Sequence, residues 1–135
     1  MTPEEMDRLV DAHLEAEGRR DIPAVLETLD DGIVRNVPGA TETLVGKEAS
    51  AAFYAALFSE LEFTGSRVLK RWHGPDFLAD LALVEAKATG KPFGFNGLGR
   101  PLEFSLMHVF EFANGRISLE YGWPDMAAIA NQLAG

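Results

Sequence analysis

The chain has 135 residues, 47% of them hydrophobic and 24% charged, a balance that suits one compact soluble domain. Its net charge of -9 repels phosphate backbones and anionic lipid surfaces, so neither nucleic acid nor a membrane is an expected partner. The lack of cysteine excludes thiolate chemistry, and the acidic N-terminus shows no apolar leader, which makes a cytoplasmic location the expectation.

The first third of the chain predicts two helices and a short strand. Thr2 can cap a helix that runs to about Glu17, because Pro3 suits its first position and Glu5 completes a capping box. Asp21 can cap a second helix with apolar residues up to Leu29. An Asp-Asp-Gly sequence then ends that helix before a strand over residues 33–37.

A loop is predicted over residues 40–46, and the clearest helical pattern in the chain follows it. This third helix spans Lys47 to Leu61. Tyr54 and Phe58 form a second apolar line on it, which indicates contact with a pocket rim or a partner. The residues predicted on its main apolar face are Ala49, Ala52, Phe53, Leu57 and Leu61.

Two strands are predicted next, over Phe63 to His73 and Phe77 to Ala88, joined by a tight turn. Asp80 and Glu85 lie on opposite faces of the second strand, so at most one of them points inward. A Gly-rich and Pro-rich connection follows over residues 89–101. It is not a phosphate-binding loop, because a strand rather than a helix comes after it.

The last two strands form a hairpin around Asn114 and Gly115, a dipeptide that favours a two-residue type I′ turn. That turn sets a register in which one face is apolar and aromatic, with His108 at its centre. Asp125 then caps a short final helix. The predicted pairs are Phe112 with Ile117, Phe110 with Leu119, His108 with Tyr121, and Leu106 with Trp123.

Three segments carry a resemblance to a known family: LMHVFEF, NGRISLEY and the C-terminal WPDMAAIANQLAG. With the order of elements, they resemble the SnoaL-like branch of the NTF2-like superfamily, which includes polyketide cyclases. The resemblance implies a single domain over residues 1–135 with an α+β cone fold. A strongly curved, mostly antiparallel sheet would wrap around three N-terminal helices, a short C-terminal helix would follow, and the interior would be hollow. It also implies a homodimer through the outer sheet face.

The same resemblance implies candidate catalytic residues. In SnoaL-like cyclases a histidine and an aspartate act on a polyketide carbonyl compound, and His108 stands where that histidine is expected. Asp125 matches a family aspartate that opens the terminal helix, and its structural alternative is a helix N-cap. Ketosteroid isomerase has a carboxylate base where this chain has Asn36, and the Arg between two inward acids of limonene epoxide hydrolase has no evident counterpart.

Each candidate residue has a structural alternative. His108 is either a neutral base facing the cavity or a core imidazole hydrogen-bonded to Tyr121. Tyr121 is either a donor to a developing enolate oxygen or a packing residue, and Asn36 is either a pocket donor or a turn residue. Trp72 and Trp123 are expected to be cavity walls. The full set of expected ligand-binding residues is Asn36, Tyr54, Phe58, Trp72, Leu106, Phe110 and Trp123.

These patterns predict a cofactor-free acid–base enzyme, an isomerase, cyclase or hydrolase, acting on an apolar carbonyl or polyketide-like compound. The alternative is a non-catalytic module that binds an apolar ligand, favoured because Gly122 stands where many relatives have an acid. No metal or cofactor is expected, since the three histidines have no metal-ligand spacing and His13 and His73 read as structural or exposed. Arg71 is expected on a solvated strand face.

Overall fold

A computed structural model describes residues 1–134 of the chain, and these residues form an α+β fold with four helices and one curved, open sheet of six strands. A short 3-10 turn lies over Pro92–Gly94. Among residues 1–134, no helix combines the length and apolar composition needed to cross a membrane. The helices are α1 Pro3–Gly18, α2 Ile22–Glu27, α3 Lys47–Glu60 and α4 Met126–Leu133; the strands are β1 Leu29–Asn36, β2 Thr43–Val45, β3 Glu62–His73, β4 Phe77–Ala88, β5 Arg100–Ala113 and β6 Arg116–Pro124.

The strand order in the sheet is β2-β1-β6-β5-β4-β3. Strands β3 to β6 follow one another as an antiparallel meander, whereas β1 runs parallel to β6. The parallel pair joins the N-terminal part of the chain to the last strand, so residues distant in sequence meet at the centre of the sheet. The predicted mostly antiparallel α+β architecture is confirmed.

Helix α1 begins as the sequence predicts. The Thr2 side chain accepts a hydrogen bond from the Glu5 backbone, and the Glu5 side chain accepts one from the Thr2 backbone. Its buried residues are spaced three or four apart, so a single stripe faces the sheet. They are Met6, Val10, His13 and Ala16.

Two element predictions in the N-terminal half are corrected. Helix α2 ends at Glu27, and Leu29 is the first residue of β1 rather than part of the helix. The predicted break over residues 30–32 lies inside that strand. The expected loop before α3 contains the short strand β2, which pairs with β1.

Helix α3 spans the predicted residues, but the side chains that it buries most deeply are those of the second apolar line, Tyr54 and Phe58. Tyr54 is fully buried and Phe58 is 5% exposed, and Ser50 lies one turn before them. Phe53 and Leu57, predicted on the main buried face, are only half-buried because they border a pocket.

The β5–β6 hairpin closes as predicted, with positive φ at both Asn114 and Gly115. Phe112 pairs with Ile117 as expected, but a bulge leaves Ser118 unpaired, so Glu111 pairs with Leu119. Every later pair is displaced by one residue, which exchanges the two faces of β6. The predicted pairing of His108 with Tyr121 and of Leu106 with Trp123 is therefore wrong: His108 pairs with Gly122 and Met107 with Trp123.

Candidate functional site

A pocket of about 560 Å³ lies between the inner face of the sheet, helix α3 and the C-terminal end of α1. Most of its wall is apolar, including Phe53, Leu57, Phe104 and Leu106. Six ionisable residues also contribute to the wall, which gives an apolar hollow a small number of polar points. They are Glu17, Arg35, Glu60, Asp80, Lys91 and His108.

His108 lies on the inner face at the centre of the sheet, between Asp80 on β4 and Gly122 on β6. It is 8% exposed, and its Nδ1 atom has no hydrogen-bond partner among residues 1–134. Burial lowers the pKa of His108, against the opposing effect of Glu120, so the imidazole is neutral at neutral pH. A neutral imidazole with one unsatisfied nitrogen thus belongs to the pocket lining.

Gly122 allows His108 this position. A Cβ atom added at Gly122 would lie 3.0 Å from His108 Cδ2 and 3.3 Å from Nε2. Any other side chain at this point would press on the imidazole ring. The Gly122 backbone is held from the other side by Asn36, whose side-chain amide donates to the Gly122 carbonyl and accepts from its N–H, both at 2.9 Å.

Asp80 is fully buried beside His108, whereas Glu85 is exposed, so Asp80 is the inward carboxylate of β4. Arg71 Nε donates to Asp80 Oδ2 at 2.7 Å, and the guanidinium also contacts Asp7 and Asp11 on α1. Arg71 points inward, contrary to the predicted solvated position, because a bulge at Leu69 changes the register of β3. Asp80 Oδ1 has no partner within the described part of the chain.

Behind the pocket wall, Glu120 is the centre of a buried polar network. It is 1% exposed and faces inward because of the β6 bulge. Tyr54 donates to Glu120 Oε1 at 2.6 Å and Arg35 donates to the same atom at 3.1 Å, while His13 Nε2 lies 3.0 Å from Oε2. His108 Nε2 is 3.9 Å from that Oε2, which places Glu120 between the two histidines.

The hydrogen bonds define where the protons lie in this network. The Thr28 hydroxyl donates to the Val25 carbonyl at 2.6 Å, so it must accept from His13 Nδ1, 2.8 Å away. His13 Nε2 faces the Glu120 carboxylate and must also carry a proton, which makes His13 an imidazolium. Burial alone would lower the pKa of His13, but the carboxylates of Glu120 and Glu17 raise it above its ordinary value.

The charges of Glu120 and its partners are mutually stabilised. Burial opposes ionisation of Glu120, but His13 and Arg35 hold its pKa well below its usual range. Burial raises the pKa of Tyr54 well above its ordinary value, so the phenol keeps the proton that it donates to Glu120. The Arg35 guanidinium also lies 3.6 Å from the centre of the Phe53 ring, which fixes it against the pocket wall.

Glu17 has the most exposed side chain of the network and also lines the pocket. Its side chain is 15% exposed and lies 3.5 Å from His13 Nε2. Burial raises the pKa of Glu17 to about 7, with Glu120 adding to the effect and His13 opposing it. At neutral pH this carboxyl can therefore both give up and take up a proton.

His13, Glu17 and Glu120 offer ligand atoms within 4.8 Å of one another, a spacing that a metal site can have. Two cations already balance these carboxylates, however, because His13 is charged and the Arg35 guanidinium lies 3.1 Å from Glu120. A divalent ion would be repelled by both. The cluster is better described as a network of buried ion pairs.

Of the residues expected to bind ligand, the structure brings only Leu106 into the pocket wall, where it joins His108. Asn36 holds the backbone of β6, and Tyr54 belongs to the network around Glu120. Phe58 and Phe110 are core residues outside the pocket lining.

The remaining candidates lie away from the pocket. Tyr121 and Trp123 are on the outer face of the sheet because of the β6 bulge, and Trp72 lies on the same face, so the placement of the two tryptophans as cavity walls is corrected. Trp72 is 41% and Trp123 52% exposed. Asp125 is the N-cap of α4, accepting from the Ala128 backbone at 3.1 Å.

Sequence reasoning missed Arg35, Glu120 and Glu17 as pocket and network residues. Arg35 and Glu120 are Cα partners across the parallel β1–β6 pair, which a reading of the C-terminal hairpin alone does not reveal. One signal in the sequence was Glu120, a charged residue among the apolar residues of β6. A buried carboxylate requires cationic partners, so its position indicated a polar network.

A family model for the SnoaL-like domain matches residues 10–120, which is most of the chain. The chain belongs to the SnoaL-like family. The resemblance to the SnoaL-like branch of the NTF2-like superfamily is thereby confirmed. No match was found among curated protein sequences.

Solved structures share the fold of this SnoaL-like protein. A protein of Jannaschia sp. CCS1 whose name suggests a SnoaL-like polyketide cyclase is 18% identical, with a TM-score of 0.87 over 100% of this chain and 96% of that one. An epoxide hydrolase of the LEH-like type from M. tuberculosis is 19% identical, with a TM-score of 0.74 over 96% and 90% of the two chains. TsrD from Streptomyces laurentii is 16% identical, with a TM-score of 0.84 over 99% and 98%.

Proposed function

We propose that this SnoaL-like protein is an acid–base enzyme that binds an apolar carbonyl compound in its pocket and removes a proton from the carbon beside the carbonyl group. His108 is the proposed base. The observation that carries the proposal is the neutral, buried imidazole in the pocket wall whose Nδ1 atom has no partner in the described chain. An imidazole held neutral at pH 7 is able to accept a proton from a bound substrate.

The position of the proton on His108 supports this role. A neutral imidazole carries one N–H, and the only carboxylate oxygen recorded within 4 Å of its nitrogens in residues 1–134 is Glu120 Oε2, which faces Nε2. The negative charge of Glu120 favours the proton on Nε2. The lone pair then lies on Nδ1.

Arg35 is the proposed stabiliser of the negative charge that develops on the substrate oxygen. Tyr121 was the sequence-based candidate, but it lies on the outer face of the sheet. Arg35 contributes to the pocket wall, and its contacts with Glu120, Tyr54 and the Phe53 ring hold it in place. A fixed cation in a mostly apolar site stabilises an enolate more than a mobile one in water does.

Kemp elimination tests the base without knowledge of the natural substrate. In 5-nitrobenzisoxazole, transfer of the C3 proton to a base breaks the N–O bond and forms a coloured cyanophenolate. We expect H108Q to lose about 100-fold or more of the protein-catalysed rate, the range that a positioned base contributes. Activity of the unmodified protein should rise with pH and reach half of its maximum below the ordinary pKa of histidine, because burial lowers the pKa of His108.

The matched control is H73Q, which removes an imidazole that pairs with Asp7 outside the pocket. It should retain the rate of the unmodified protein, and thermal melts should show that both variants fold. Equal rates for H108Q and the unmodified protein would exclude His108 as the base.

Non-catalytic binding of an apolar ligand is the second candidate. It is favoured by the fact that the carboxylates nearest His108 are occupied: Arg71 pairs with Asp80, and Glu120 is held by His13 and Arg35. Neither is free to act as a second acid. The neutral fluorophore N-phenyl-1-naphthylamine tests this candidate. Equal affinity of the protein for the fluorophore with and without His108, together with no elimination activity, would establish non-catalytic binding as the function.

The proposed assembly is a homodimer through the outer sheet face. Trp123 and Trp72 are exposed there, close to the half-buried Met107, Val109 and Tyr121. The cross-strand pairing puts these five residues on the same face. A contiguous apolar surface of this kind is typical of a protein interface.

A further inference from the structure

Asp80 belongs to the pocket lining together with His108, and its Oδ1 is a second buried polar atom that has no hydrogen-bond partner in residues 1–134. Asp80 and His108 are Cα partners on neighbouring antiparallel strands. Cβ atoms of such partners are about 5 Å apart and point to the same side of the sheet. The two side chains are therefore neighbours on the inner face of the sheet, and both residues belong to the pocket lining.

Arg71 determines which carboxylate oxygen of Asp80 is free. Its Nε atom donates to Oδ2 at 2.7 Å, and its terminal nitrogens are directed to Asp11 at 2.6 Å and Asp7 at 3.3 Å. This anchors the carboxylate by one oxygen and leaves Oδ1 as an acceptor without a donor in the described residues. Buried acceptors in native proteins nearly always have a partner, so an unpaired one at a pocket indicates what the pocket takes.

The geometry points to a hydroxyl-binding subsite at Asp80, so that the preferred ligand is an apolar carbonyl compound with a hydroxyl group one or two bonds from its acidic carbon. The inference rests on the proposed function for the place of that carbon at His108. The ligand hydroxyl donates to Asp80 Oδ1 while the adjacent C–H faces His108 Nδ1. A ligand carboxylate or ether at the same point offers no donor and leaves Oδ1 unsatisfied, so both are disfavoured.

Two probes with the same skeleton test the subsite. The first, 2-naphthol, has a donor, whereas 2-methoxynaphthalene keeps the oxygen and lacks the hydrogen. Each is titrated against N-phenyl-1-naphthylamine bound to the protein. We expect 2-naphthol to bind at least about tenfold more tightly, the ratio that corresponds to ~1.4 kcal/mol. Equal affinities, tighter binding of the ether, or failure of both to displace the fluorophore would overturn the inference.

The variant D80N should abolish or reverse this preference. Arg71 Nε requires an acceptor, so the amide oxygen of the new side chain will take the place of Oδ2 and its NH₂ group will face the pocket. The free position then becomes a donor, which suits the ether and not the hydroxyl. D7N is the matched control, because it removes another Arg71 partner that lies outside the pocket lining, and it should keep the preference for 2-naphthol. An unchanged preference in D80N would assign the selectivity to another group.

The outcome for this subsite is separable from the outcome for the proposed function. H108Q should lose the elimination of 5-nitrobenzisoxazole and still prefer 2-naphthol, because Asp80 is intact. Loss of the preference in H108Q would mean that the hydroxyl binds the imidazole and would overturn the assignment to Asp80. If H108Q retains elimination while D80N loses the preference, the hydroxyl subsite stands and the proposed base is wrong.

Discussion

His108 and Gly122 face each other across β5 and β6, with 3.0 Å between His108 Cδ2 and the place where a Cβ atom of residue 122 would lie. The imidazole occupies space that only glycine leaves free. The position of the proposed base therefore depends on a residue with no side chain of its own.

Replacing Gly122 with alanine should force the His108 ring away from its position. We expect G122A to reduce the free energy of unfolding by about 1–3 kcal/mol, the usual cost of overpacking, as measured by urea denaturation. Gly18 is the control, since a Cβ atom there would meet nothing within 4 Å, and G18A should be neutral or slightly stabilising. Equal stabilities of G122A and the unmodified protein would show that the ring has room to move.

Removing the charge of Glu120 should be the most destabilising conservative change in the network. The E120Q side chain has the same size, but the buried cations of His13 and Arg35 would lose the carboxylate that they share. We expect a loss of about 3–5 kcal/mol in urea denaturation at pH 7. The control E85Q removes an exposed carboxylate from β4 and should change stability by less than about 0.5 kcal/mol. A loss below about 1 kcal/mol in E120Q would contradict the ion-pair description.

Glu17 should make stability fall as pH rises from about 4.5 to 7. Its pKa in the folded protein is raised to about 7 from the ordinary 4.5, so in this range the folded state holds a proton that the unfolded state has released. E17Q abolishes that titration and should gain on the order of 3 kcal/mol relative to the unmodified protein between pH 4.5 and 8.

The pH series is measured by urea denaturation, and E15Q is its control. Glu15 lies on the same helix with its side chain 73% exposed, so its replacement should leave the pH dependence of the unmodified protein in place. The titrations of His108, His13 and Glu120 affect the stability of the variant and of the unmodified protein alike. Their effects therefore largely cancel in the difference between the two. A difference between E17Q and the unmodified protein that does not vary with pH would show that Glu17 titrates normally.

A charge at Trp123 should disrupt the proposed dimer. The side chain is 52% exposed on the outer apolar surface, where an arginine in each subunit would put two buried cations into the interface. In sedimentation at micromolar concentration we expect a dimer for the unmodified protein and a monomer for W123R. L98R is the control, because Leu98 is 77% exposed in the loop before β5. A monomeric unmodified protein would exclude the assembly.

Short sequence motifs predicted most of the fold, because the structures that they form depend only on residues close together in the chain. The Thr2 capping box, the Asn114-Gly115 turn and the Asp125 cap each depend on residues within four positions of one another. The regular alternation of β5 also placed His108 on the inner face correctly. These signals do not depend on distant contacts, so the sequence alone contains them.

The two bulges explain why much of the candidate site was not predicted. Ser118 in β6 and Leu69 in β3 have no cross-strand partner, and beyond each one the strand presents its other row of side chains inward. The apolar row of Tyr121 and Trp123 satisfied the expected pattern for a buried face, but it lies outside. Alternation identifies two rows and does not say which one meets the core when both are partly apolar.

The unpaired Ser118 has a consequence for comparing this protein with its relatives. A relative that lacks one residue at this point would turn its aromatic row towards the ligand and its acid towards the outer surface, with hardly any other change in the chain. A one-residue gap in an alignment of the last strand should therefore be read as a change of chemistry, and acids matched across such a gap should not be assumed to share a role.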